Sequence, residues 1–158
     1  MCNNGTKYKQ DKNIGTVKII IRGNVSINDG IRPYPTHKGM FSPTFHLTGP
    51  IENTHIYDNL IIIPKKSEGV DNTLIDMDNW GGPWPMNTLL ENNEIHFEDE
   101  IKISLKEIKD VFLKNNSFSK QVANFNPENN KIMQSKAFNL KALERLAQTK
   151  LNGNKTYE

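Results

Sequence analysis

The stretch "GIRPYPTHKGMFSPTF", residues 30–45, is the one on which a sequence reading of the fold turns. Pro33 and Pro35 each fix φ near about −65° and remove a backbone donor. Gly39 permits a turn that bulkier residues avoid. Strand-like segments lie on both sides, so the stretch reads as a corner that leaves a sheet edge without offering hydrogen bonds to another chain.

Upstream, "GTVKIIIRGNVSI" (15–27) is β-branched and apolar enough for one long strand, with Gly23-Asn24 as a bulge. Asn28-Asp29-Gly30 supplies a turn. Downstream, "PTFHLTG" (43–49), "THIYDNLIIIP" (54–64) and "TLIDM" read as further strands. "EIHFEDEIKISL" (94–105) has the clearest two-residue period, which places Ile95, Phe97, Ile101, Ile103 and Leu105 on the inner face. "KEIKDVFLKNN" fits a helix face or a strand. "SFSKQVANF" and "KIMQSKAFNL", joined through Asn126-Pro127-Glu128-Asn129-Asn130, read as a hairpin. Leu140, Leu143, Leu146, Ala147 and Leu151 recur at helical spacing, with Asn139 as N-cap and Gly153 past the end. No internal repeat is evident.

The corner and the strand entry after it resemble the third, C-terminal domain of elongation factor Tu. That family follows its first strand with Gly-x-Arg-x-x-Pro-x-x-Lys-Gly and then Pro-x-Phe. Here those positions are Gly30, Arg32, Pro35, Lys38, Gly39, Pro43 and Phe45. Glu94, Asp99 and Lys102 match a second family segment. The resemblance implies a mainly β (α+β) fold: a small closed antiparallel β-barrel over 15–140, with a large insertion at about 48–93. A flexible tail (1–14) would precede it, and a C-terminal α-helix and tail (141–158) would follow. The family domain helps to hold tRNA and contacts neighbouring protein domains, which marks Arg32, Lys38 and Thr44 as binding positions. Pro33 and Thr44 replace polar groups of the family, and 126–130 replaces its glycine-rich turn. RNA binding is therefore disfavoured relative to protein binding.

Composition narrows the function further. The 158 residues carry a net charge of +2, and Arg occurs only at 22, 32 and 145. That is too little clustered charge for a phosphate-backbone binder. Mean hydropathy is −0.64, and no run is long and apolar enough to span a membrane. The single cysteine, Cys2, excludes an internal disulfide and points to a reducing, cytoplasmic compartment. No phosphate-binding glycine loop is present, which excludes intrinsic GTP hydrolysis.

The remaining candidates are sparse. His37, His46, His55 and His96 lack the spacing of a local metal motif, so no metal, cofactor or catalytic residue is assigned. His46-Leu47-Thr48 supplies half of a two-histidine phosphoesterase pattern. Glu100-Ile101-Lys102 with Asp76 or Asp78 echoes metal-dependent nucleases. In "DNWGGPWPMN" (78–87), Trp80 and Trp84 flank a glycine–proline turn, and either cap the core or face a partner. The expectation is a non-enzymatic, protein-binding module, with a small metal-dependent nuclease or phosphoesterase and an RNA- or tRNA-binding protein as alternatives.

Overall fold

The chain turns a corner at four places where Gly, Asp or Asn stands immediately before an Asn. Gly23, Asp58, Asn92 and Asn115 have φ of 64°, 55°, 55° and 55°. These are the residue types that enter the left-handed region at least strain. A computed structural model describes residues 15–29, 43–66, 68, 70, 72–80, 83–104, 111–122, 131–133 and 138–154.

A first coil holds β1 (Thr16–Val17), β2 (Ile20–Arg22), β3 (Val25–Ile27) and β4 (Phe45–Thr48). A second holds β5 (Ile51–Tyr57), β6 (Leu60–Ile63) and β7 (Thr73–Asp78). A third holds β8 (Met86–Glu91), β9 (Glu94–Phe97) and β10 (Lys102–Ser104). β11 (Val111–Lys114) and β12 (Ser117–Phe118) open a fourth, followed by β13 (Lys131–Ile132) and α1 (Leu140–Asn154). Every strand pairing among the described residues is parallel, and each joins strands of successive coils. Three open sheets result: β1 and β2 on β5, then β8 and β11; β3-β6-β9-β12-β13; and β4-β7-β10. The architecture is a parallel β-helix, a solenoid in which each coil contacts its neighbours.

The expected closed antiparallel barrel is therefore not formed. Segments 15–27 and 54–64 are not single strands, because the left-handed residue and the Asn after it carry the chain into a different sheet. The expected hairpin after Phe118 is absent: Ser117 pairs with Lys131 and Phe118 with Ile132 in parallel. The alternation at 94–105 is real, since Ile95, Phe97 and Ile101 are buried and Ile103 packs against them. It is split, however, between β9 and β10 in two sheets. Leu105 lies outside the described residues.

Asparagine side chains fix the corner between the first two sheets. Asn24 donates to Asn59 Oδ1 from its amide and its side chain, at 3.0 and 3.1 Å. Asn59 does the same to Asn93 at 3.1 and 2.9 Å, and Asn93 to Asn116 at 3.0 and 2.9 Å. Their second amide protons go to the carbonyls of Ile21, Ile56 and Leu90 at 2.9–3.0 Å. Asn59, Asn93 and Asn116 are thus buried polar groups with matched partners, the condition for burying them without penalty. These are the internal repeats that the sequence reading does not detect.

Inside the coils, side chains stack on their own counterparts one coil away. Ile61, Ile95 and Phe118 are in register, and so are Ile56, Leu90 and Leu113. All but Leu113 are at most 2% exposed. Burying each such side chain is worth about 1.5–3 kcal/mol. β6 is buried on both faces, the pattern of a covered parallel sheet. Ile61 and Ile63 face the interior, while Leu60 and Ile62 pack under Ala147, Leu143 and Leu146 of α1. The Asn139 side chain caps α1 by accepting from the Ala142 amide at 3.1 Å, as the sequence implies. Gly153 falls within the helix rather than beyond it.

α1 is also tied to the second sheet by charge. Lys150 Nζ lies 2.8 Å from Glu94 Oε2, and His96 Nε2 lies 2.8 Å from Glu94 Oε1. The His96 hydrogen bond, opposed by burial and assisted by Lys150, holds the Glu94 carboxyl at about 2. A carboxyl depressed in the folded state stabilises above its unfolded value near 4.5, and that contribution is lost as pH falls towards 2. Glu94 is partly solvated, so screening reduces its contribution to about 1–2 kcal/mol. Urea titrations of wild type and Glu94→Gln should differ by this amount at pH 7 and converge towards pH 2. A difference that does not change with pH excludes Glu94 as the acid-sensitive tie.

Candidate functional site

The outer face of the β4-β7-β10 sheet gathers a histidine, a threonine and two aspartates. Alternation along β4 turns Phe45 and Leu47 to the core and His46 and Thr48 outwards; β7 does the same with Ile75 and Met77 against Asp76 and Asp78. Register then sets His46 beside Asp76 and Thr48 beside Asp78. His46 Nε2 donates to Asp78 Oδ2 at 2.8 Å and stands 3.9 Å from Asp76 Oδ2.

Asp78 organises the start of the tryptophan loop. Its Oδ1 accepts from the Thr48 hydroxyl and from the Trp80 amide, the latter at 2.9 Å. Thr48 Oγ1 also lies 3.1 Å from the Trp80 carbonyl oxygen. Burial pushes the Asp78 carboxyl up, but the bonds from Thr48, His46 and the Trp80 amide, with the His46 charge, outweigh it and hold it below its ordinary value. Asp78 is thereby kept as an anion. The Trp80 amide is thus held, while the residue remains 69% exposed. Trp84 is half-buried between Pro83 and a buried Pro85.

The residues singled out from the sequence separate into three groups. Trp80 is largely exposed, and Trp84 is half-buried. Thr44 is half-buried before β4, its amide bonded to the Thr73 carbonyl at 2.9 Å. Arg32 and Lys38 lie outside the described residues, as do Cys2 and His37. His46, Asp76 and Asp78 do converge. Their partner is not the Glu100–Lys102 pair: Lys102 is in register with Thr73, on the far side of β7 from β4.

The other two histidines sit elsewhere on the solenoid. On the outer face of the first sheet, Ile20, His55, Leu89 and Phe112 run in one row. Arg22, Tyr57, Glu91 and Lys114 form the next row, linked by contacts of 3.2 Å between Arg22 and Tyr57 and between Lys114 and Glu91. The His55 and Tyr57 rings are 4.2 Å apart. His96 belongs to the Glu94 tie.

These features define a short parallel β-helix with an aromatic and carboxylate-bearing site at the end of its third sheet. No protein-family model, no curated protein and no solved structure matches the chain. No helix among the described residues is long and apolar enough to cross a membrane.

Proposed function

We propose that this protein is a binding module that engages a protein partner through Trp80. The observation that carries the reading is the contrast within that residue, which is 69% exposed while its backbone amide is held by Asp78. Exposed tryptophans are enriched among the few side chains that dominate protein interfaces. A backbone held in advance leaves less ordering entropy to lose on binding. Asp76 and Asp78 beside it disfavour a phosphate backbone and suit a partner with Lys or Arg at its rim.

The test uses the full chain, immobilised, with captured proteins identified and then titrated singly. Trp80→Ala should weaken the captured complex by about 2 kcal/mol or more, roughly 30-fold, with the melting temperature unchanged. Trp84→Ala should instead lower the melting temperature. Loss of stability without loss of affinity in Trp80→Ala would end this reading.

A second reading, a metal-dependent nuclease or phosphoesterase, is favoured by the meeting of His46, Asp76 and Asp78. It requires turnover of a simple phosphodiester in the presence of a divalent ion and loss of that turnover in His46→Ala.

A further inference from the structure

We propose that His46, Asp76 and Asp78 form a binding site for a divalent transition-metal ion of the zinc class. Each offers one ligand atom, and these atoms all lie within 4.8 Å of one another. An ion held at about 2.0–2.2 Å from each ligand separates tetrahedral ligand atoms by about 3.3–3.6 Å. The distances of 2.8 and 3.9 Å from His46 Nε2 to the two carboxylates bracket that value. A small rotation of the imidazole towards Asp76 equalises them.

Asp76 adds a second consideration. Its side chain is 12% exposed and stands 3.9 Å from His46 Nε2, beyond hydrogen-bonding distance. Its ligand oxygen lies within 4.8 Å of that of Asp78. Two carboxylates this close repel, and a bound cation relieves that repulsion. Asp78 completes the arrangement: Thr48 and the Trp80 amide occupy its Oδ1, leaving Oδ2 towards His46. Hydrogen bonds that orient a ligating carboxylate in this way are what metal sites require beyond their ligands.

The donor set selects the ion. One imidazole nitrogen and two carboxylate oxygens suit zinc and its first-row neighbours, whereas calcium takes oxygen ligands almost exclusively. Three protein ligands leave a coordination position open, as in zinc sites that bind a further group. This assignment stands apart from what Trp80 anchors, because the contact to Asp78 runs through the Trp80 amide rather than its indole.

The experiment is calorimetric titration of the metal-free, full-length protein with zinc sulfate, alongside melting curves. Wild type should bind one zinc and melt at a higher temperature with it. His46→Gln and Asp78→Asn should weaken binding by more than about tenfold. His96→Gln, which alters a histidine–carboxylate pair of the same 2.8 Å spacing on another sheet, should not. Asp76→Asn should fold at least as stably as wild type without metal and gain nothing from zinc, which separates a lost site from a lost fold. Trp80→Ala should bind zinc normally whatever it does to partner binding. Zinc affinity that survives His46→Gln, a wild type whose melting zinc does not raise, or preference for calcium overturns the proposal.

Discussion

Replacing Asn93 with Leu should destabilise the protein by about 4 kcal/mol or more. Leu has the same branched heavy-atom skeleton as Asn and is no smaller, so the loss does not come from a cavity. The Asn59 amide and side chain lose their shared acceptor, and the Ile56 carbonyl loses its donor, all at a corner where Asn93 is 1% exposed. Each buried group left unmatched costs about 1–3 kcal/mol. Asn24 provides the internal comparison. It is exposed at the end of the ladder, and Asn24→Ala removes one side-chain donor while keeping the backbone bond to Asn59. That change should cost under about 1 kcal/mol. Urea unfolding of the two variants measures the contrast directly. Equal losses would mean that the ladder does not hold the coils together.

The ladder also explains which parts of the fold the sequence conceals. Its signal is two residues long: a Gly, Asp or Asn followed by Asn, between apolar segments. Read locally, Gly23-Asn24 suggests a bulge and Asp58-Asn59 passes as the interior of a strand. Both readings keep the chain in one sheet, whereas the left-handed residue turns it into the next. The repeat itself is masked by unequal connections between the second and third sheets. These span 28–44 in the first coil, 64–72 in the second and 98–101 in the third. Most of the proline-rich stretch at 30–45 lies outside the described residues, between β3 and β4, and its backbone restrictions carry little information about the strand order. Inward-facing residues were more legible, because a two-residue period marks the buried face equally in parallel and antiparallel sheets. Ile95, Phe97 and Ile101 are buried in either case.

The site was legible in pieces. His46-Leu47-Thr48 and Asp76-Met77-Asp78 each show the alternation that sends two polar side chains outwards from a strand. Trp80 stood out as a tryptophan in a turn. What the sequence does not contain locally is the register that sets residue 46 beside residue 76. In a solenoid that offset equals the length of a coil, and the coil length depends on connections that vary. Glu100 and Lys102 are nearer to Asp76 in sequence and attract the pairing on paper. The fold instead uses the coil before β7 to complete the cluster.

Ile62→Asp should detach α1 from the solenoid, with a loss of about 3–5 kcal/mol and with the inner stacks left in place. Ile62 is fully buried, and its side chain lies on the outer face of β6 with Leu60, beneath Ala147, Leu143 and Leu146. A carboxylate there is buried beside His96, its register neighbour on β9, which Glu94 already engages, and its burial costs more than the interface supplies. The helix then has little to hold it. A fifteen-residue helix is marginal in water without a packed face, and the Lys150–Glu94 contact is a partly exposed ion pair of small value. The coils should survive because Ile61 and Ile63 point the other way, into stacks with Ile95, Phe97 and Phe118. Ile61→Asp is the matched control and should unfold the whole chain. Hydrogen exchange distinguishes the outcomes: in Ile62→Asp the α1 amides should lose protection while those of β6 and β9 keep it. Protection retained across α1 would show that the helix is held by something other than this face, and simultaneous loss everywhere would show that the helix and coils form one cooperative unit.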